Sequence, residues 1–150
     1  MKTRLASSLV AAACLLLSIG LSPASAATHP TPPWGKGPFK VLLEVNQNDP
    51  ATWKVTISNL TTMEKVVGMD TAHAEVIAWG PGIHMLLKNS PVAKDIQSLS
   101  MYGVEFAACH QTMKALHISK SQLASGVTVV PGAIAEIVRR HNQGWTEIKE

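Results

Sequence analysis

The sequence predicts an α/β fold, a single three-layer domain built on a mainly parallel sheet of five strands. The first observation is the alternation, from Phe39 onward, of short apolar or β-branched runs with longer amphipathic stretches. This order is typical of buried strands joined by helical crossovers. The second observation is length, because about 124 residues follow the predicted signal peptide, enough for one core and too few for two.

The N-terminal segment predicts export. In residues 1–26 a positively charged start precedes a long apolar run and the small-residue site 24–26, which is the order of a secretory signal peptide. We expect cleavage after Ala26 and a periplasmic or secreted protein that is not held in a membrane. Residues 27–38 contain four prolines and two glycines and predict an extended leader. The domain proper is predicted to span residues 39–150.

Charge excludes a nucleic-acid partner. The chain has 13 basic and 10 acidic residues, and two of the basic residues lie in the predicted signal peptide, so the mature chain is nearly neutral. Arg139 and Arg140 form the single adjacent basic pair, and no basic stripe is interleaved with aromatic residues. A nucleic-acid-binding face would need such a stripe.

The individual elements follow from local signals. The run from Phe39 predicts the first strand, and Asp49 as N-cap with Pro50 in the first turn predicts a helix to about Val67. Later strands are predicted at residues 72–79, 104–108, 127–130 and 145–148. Helical segments are predicted at about residues 83–88, 91–101, 110–116, 121–124 and 132–141.

Loops after the strands predict where chemistry takes place. In parallel α/β sheets, ligands and reactive groups gather at the carboxyl ends of the strands. Three loops are expected to converge there, and a fourth at Pro131-Gly132 could join them. The three begin at Asn46, at the tight turn Gly80-Pro81-Gly82, and at Cys109.

Cys109 is the predicted reactive residue. Cys14 leaves with the signal peptide, so Cys109 has no partner within the mature chain. Its place at a strand-to-helix junction favours a thiolate, to which a protonated His110 would add charge and Thr112 a hydrogen bond. The alternatives are a buried, inert cysteine and one that pairs between chains.

Other chemistry has weaker support. The histidines show no ligand spacing of a zinc motif, so no metal is expected, although Cys109 with His84 or His110 is kept as a third hypothesis. Catalytic signatures such as Gly-x-Ser-x-Gly, a phosphate-binding loop and Cys-x-x-Cys are absent. Trp79, beside the glycine turn, is predicted to line a pocket at Cys109.

The chain resembles the DsrE/DsrF-like family of sulfur-relay proteins, in particular its exported members. Four segments carry the resemblance, and their order along the chain matches the family. They are the opening strand at residues 40–45, the strand and glycine turn at 75–87, the cysteine-bearing strand and helix at 104–116, and the ending from 126 to 145.

The resemblance implies a flavodoxin-like domain that assembles into homotrimers or homohexamers. It also implies that Cys109 carries sulfur as a persulfide between sulfur donor and acceptor proteins or small thiols, a role linked to sulfur oxidation and needing no cofactor. Whether such a carrier is an enzyme stays open. Cys109 is the predicted catalytic residue, and the predicted binding residues are His110, Thr112, Gly80, Gly82 and Asn46. The alternative is a small-ligand-binding or assembly module with an unreactive Cys109.

Overall fold

The computed structural model describes residues 35, 37–68 and 71–150. The signal peptide and most of the leader predicted before Phe39 lie outside the described residues, so those boundaries stay predictions. The strands are β1 (Phe39–Val45), β2 (Ala72–Ala78), β3 (Glu105–Cys109), β4 (Val127–Val130) and β5 (Thr146–Lys149). The helices are α1 (Pro50–Val67), α2 (Ala93–Met101), α3 (His110–Ala115) and α4 (Ala133–Asn142), with 3₁₀ turns at Gly80–Leu86 and Lys120–Gln122.

The predicted five-stranded α/β fold is confirmed. All four strand pairings are parallel, in the order β4-β3-β2-β1-β5, so β4 and β5 form the edges of the sheet. Because the strands are parallel, their carboxyl ends lie along one edge. That edge carries the loops in which the sequence places its candidate residues.

Local signals explain α1 well. The Asp49 side chain accepts hydrogen bonds from the N–H groups of Ala51 at 3.0 Å and Thr52 at 3.2 Å. Pro50 occupies the first turn, where its missing N–H costs nothing, and Gly68 ends the helix with a φ of 87°.

Two predicted boundaries were wrong in detail. The helix expected at residues 83–88 is a 3₁₀ segment that begins earlier, at Gly80, because Gly80 adopts a φ of +51° and starts the turn directly after β2. Helix α2 begins at Ala93 and not at Pro91. Ser90 Oγ accepts a hydrogen bond from the Val92 N–H at 3.3 Å, which forms a turn before the helix.

The two faces of the sheet are covered unequally. A large apolar core on one face contains side chains from α1, α2 and α3. The other face is packed by α4 and carries a smaller cluster. The buried members of that cluster are Leu42, Ile77, Ala107, Cys109, Ala133 and Trp145.

Within the described part of the chain, no helix has the length and apolar character needed to span a bilayer.

Candidate functional site around Cys109

Cys109 lies at the carboxyl end of β3 and is at the same time the N-cap residue of α3. Its backbone is extended, with φ −68° and ψ 114°. The side chain points to the α4 face, where it packs with Ala133 and Ile77. Only 5% of the residue is exposed. The thiol is therefore a nearly enclosed group at the functional edge of the sheet.

Hydrogen-bond donors surround the sulfur. The Ala133 N–H, at the start of α4, donates to Sγ at 3.3 Å. Burial raises the pKa of the Cys109 thiol, but the Thr112 hydroxyl and the N–H groups of Thr112, Ala133 and Gln111 oppose it more strongly. The net result is a thiol pKa below its usual 9.0. The donors come from two helix N-termini, and together they favour the thiolate.

Thr112 links the cysteine loop to the glycine turn. Its Oγ1 accepts a hydrogen bond from the Gly80 N–H at 3.0 Å. Since that oxygen already has a donor, the hydroxyl proton is free to point at Cys109 Sγ. The positive φ of Gly80 directs its N–H toward Thr112, so two of the predicted binding residues act as one unit next to the thiol.

Gly82 and Asn46 shape the edge without meeting the sulfur. A Cβ on Gly82 would overlap the carbonyl group of Val45 and lie 2.8 Å from Asn46 Cα. Only glycine lets the turn after β2 pack this closely against the end of β1. These two predicted binding residues therefore hold neighbouring loops together.

Trp79 packs against the cluster that contains Cys109, on the side of β2 and β1. Its Nε1–H donates to Glu44 Oε1 at 2.9 Å. Glu44 is 4% exposed and also lies 3.6 Å from Lys149 Nζ. The indole is thus fixed at one end by a carboxylate while its ring packs against the apolar cluster that includes Cys109.

His110 and His84 line two separate surface hollows, and Cys109 lines neither of them. His110 is exposed and lines a groove along α3, and His84 lines a separate hollow with Asn48 and Trp53. Over the described residues, no three or more His, Cys, Asp or Glu side chains are grouped so as to hold a metal ion.

A buried charged cluster further along the same face was missed by the sequence analysis. Arg140 on α4 contacts carboxylates of Glu75 and Glu105 and lies 3.2 Å from Glu136 Oε1. Its guanidinium also stacks 4.2 Å from the centre of the Trp145 ring. The available signal was a pair of glutamates inside apolar strands, but nothing in the sequence pairs them with a distant arginine.

Glu75 is the most deeply buried member of this cluster. It is 1% exposed, and neither carboxylate oxygen receives a hydrogen bond of acceptable geometry despite the contact with Arg140. Burial, to which the negative charges of Glu136 and Glu105 add, raises the pKa of Glu75 to about 7 despite the attraction of Arg140. Glu75 therefore titrates near neutral pH.

A comparison with known protein families agrees with the fold described above. The model of the DsrE/DsrF-like family matches residues 42–149, which covers the sheet, its helices and the Cys109 edge. The chain belongs to the DsrE/DsrF-like family. The resemblance predicted from the order of the motifs is thereby confirmed at the level of the family.

A solved structure shows the same fold. The protein of unknown function MTH1491 from Methanobacterium thermoautotrophicum is similar to this chain at 28% identity, with a TM-score of 0.69. The match covers 75% of this chain and 99% of that one. No curated protein matches. The DsrE/DsrF-like domain described here is therefore shared, almost over its full length, with a protein whose own role is unknown.

Proposed function

We propose that this DsrE/DsrF-like protein is an exported sulfur-relay carrier that holds sulfur as a persulfide on Cys109. The observation that supports this most is the set of donors around Sγ. Thr112, Gln111 and Ala133 lower the pKa of a thiol that burial alone would make less acidic. A carrier needs a thiolate that both attacks and leaves readily.

The transfer conserves atoms and electrons without an added oxidant. The Cys109 thiolate attacks the outer sulfur of a donor persulfide, a new S–S bond forms on Cys109, and the donor's S–S bond breaks. The donor sulfur departs as a thiolate with the bonding electron pair. In the second step an acceptor thiolate attacks the outer sulfur, and Cys109 leaves as a thiolate. The same donors stabilise Cys109 as nucleophile and as leaving group.

Burial restricts which donors can react directly. With 5% of Cys109 exposed, a small polysulfide reaches the sulfur more readily than a bulky reagent. A protein donor would have to present its persulfide at the carboxyl end of β3. We expect enclosure to protect the bound persulfide from other thiols.

Location and assembly belong to the same proposal. Residues 1–26 support export to the periplasm or medium, where donors and acceptors would be proteins or small thiols. Homo-oligomerisation, as a trimer or hexamer, has support from α4. Its Ile134 and Val138, one turn apart, are 64% and 53% exposed, whereas Glu136 and Arg140 of the same helix are buried.

Sulfur loading tests the carrier directly. The full chain with Cys14→Ser, which leaves Cys109 as its one cysteine, is treated with inorganic polysulfide and its intact mass is measured. One added sulfur that a reductant removes is expected, and none on a Cys14→Ser, Cys109→Ser control. Loading that occurs only after denaturation would contradict the proposal.

One observation favours a second candidate. The near-complete burial of Cys109 in an apolar cluster is also what a structural cysteine shows. In that case the domain is a small-ligand-binding or assembly module, and the thiol only packs. A native thiol that resists every small electrophile would support this candidate.

A further inference from the structure

A groove of about 580 Å³ lies between α3, the segment that follows it and the edge strand β4. Its floor is apolar and consists of Met113, Ile118 and Val129. Val129 lies on the groove side of β4, whereas the next residue, Val130, packs with Cys109 on the other side. The groove is thus separate from the thiol cluster but adjoins the same end of β3, because His110, which lines it, directly follows Cys109.

The walls of the groove carry uncompensated positive charge. Lys114 and Lys120 line it together with His110 and His117, and none of the described acidic side chains does. Across the residues that the structure describes, neither lysine forms an ion pair with a carboxylate. The charge is therefore available to a ligand.

One wall is held in place by its own hydrogen bonds. His117 adopts a left-handed conformation with a φ of 53°, which is uncommon for a residue other than glycine. Beyond it, Ser119 and Gln122 form a capping box in which the Ser119 N–H donates to Gln122 Oε1 at 2.8 Å. The backbone before Lys120 is therefore held by hydrogen bonds within its own turn.

We propose that this groove docks an acidic segment of a partner protein, in which carboxylates alternate with apolar side chains. The carboxylates would meet Lys114 and Lys120, and the apolar side chains would cover Met113, Ile118 and Val129. Only the role of that partner, a protein that exchanges sulfur with Cys109, rests on the proposed function. Binding itself needs no sulfur chemistry.

Other ligands fit the groove less well. A small anion in so open a groove would stay largely hydrated and leave the apolar floor uncovered. A nucleic acid would find phosphate partners, but among the described residues no Phe, Tyr or Trp side chain lines the groove to stack a base. Charge together with an apolar floor favours a polypeptide.

Peptide binding tests the groove without a reactive thiol. A short fluorescein-labelled peptide of alternating Glu and Leu is titrated into the full chain carrying Cys14→Ser and Cys109→Ser, and its anisotropy is followed. Lys114→Glu with Lys120→Glu should raise the Kd about tenfold or more. Lys54→Glu with Lys65→Glu on α1 makes the same change in net charge at exposed sites away from the groove and should change the Kd by less than about twofold.

Three outcomes would overturn the proposal. The first is no binding of the Glu-Leu peptide, and the second is an equal rise in Kd in the two double-lysine variants. The third is equal binding of a Glu-Gly peptide or an oligothymidine, which would show that the groove responds to charge alone. Polysulfide loading of Cys109 is measured separately on chains that keep the thiol. A failed docking site is therefore distinguishable from a failed carrier.

Discussion

Cys109 and Glu75 both carry an acidic side chain buried under α4, but the pKa values of the two groups are shifted in opposite directions. Cys109 is 5% exposed at the end of β3, and Glu75 is 1% exposed within β2. Burial disfavours the charged form of each. Yet the pKa of the thiol is lowered, while that of the carboxyl is raised to about 7.

The difference lies in the donors. Around Cys109, the Thr112 hydroxyl and several backbone N–H groups are directed at the sulfur. Glu75 has a single cation beside it, Arg140, and the negative charges of Glu136 and Glu105 raise the pKa of its carboxyl further. Several oriented donors therefore favour an anion at Cys109, whereas one shared cation does not offset burial and two neighbouring carboxylates at Glu75.

Replacing Arg140 should have the largest effect on the stability of the fold. Arg140→Met leaves three glutamates without their common cation, and we expect a loss of about 3–5 kcal/mol in the free energy of unfolding. Urea unfolding followed by circular dichroism measures it. Arg139→Met is the matched control, because the Arg139 side chain is 48% exposed and pairs with Glu136 alone. It should cost less than about 1 kcal/mol, and equal losses would contradict the account.

Glu75 should make stability depend on pH. The pKa of Glu75 is higher in the folded protein than its unfolded value of 4.5. Its contribution to folding stability is therefore fully present below pH 4.5 and is lost as the pH rises through about 7. The loss should be about 3 kcal/mol. Arg140, Glu136 and Glu105 face the carboxyl and modulate the size of this loss.

The Glu75→Gln variant tests that assignment. It should remove most of the loss between pH 4.5 and 7 and should be more stable than the parent chain at pH 8. Urea midpoints measured across this pH range provide the comparison. If the variant keeps the full pH dependence, another group is responsible and Glu75 is charged in the folded protein.

A smaller effect is expected from the donor to the thiol. Thr112→Val removes the hydroxyl beside Sγ and should raise the thiol pKa, because that hydroxyl is the strongest of the donors that lower it. It also leaves the Gly80 N–H without its acceptor, so a modest loss of stability should accompany it. Thr61→Val, which removes a hydroxyl on α1 that donates to the Ile57 carbonyl, is the control. The pKa of the Cys109 thiol should not change in this control variant.

Local signals in the sequence were sufficient for most of the fold. Asp49 and Pro50 mark the start of α1, and apolar runs locate all five strands within about two residues. The glycine turn and Cys109 could be assigned to one edge because parallel strands end there. These features depend on neighbours in sequence or on a general rule of sheet topology.

What the sequence could not supply depends on long-range packing. Nothing in the pattern indicates that Ala133 donates to Cys109 Sγ, that Arg140 reaches Glu75, or that His110 lines a groove away from the thiol. The near-complete burial of the sulfur was one of the alternatives that the sequence left open, because it depends on how α4 packs against the sheet. Each of these contacts joins residues that only the folded sheet brings together.

The most direct test of the account is the pH dependence of Cys109 alkylation by iodoacetamide in the native Cys14→Ser chain. The account predicts reaction of the folded protein with a midpoint below 9.0, the usual thiol pKa, and a higher midpoint in Thr112→Val. A midpoint at or above 9.0, or a thiol that reacts only once the protein is unfolded, would contradict it.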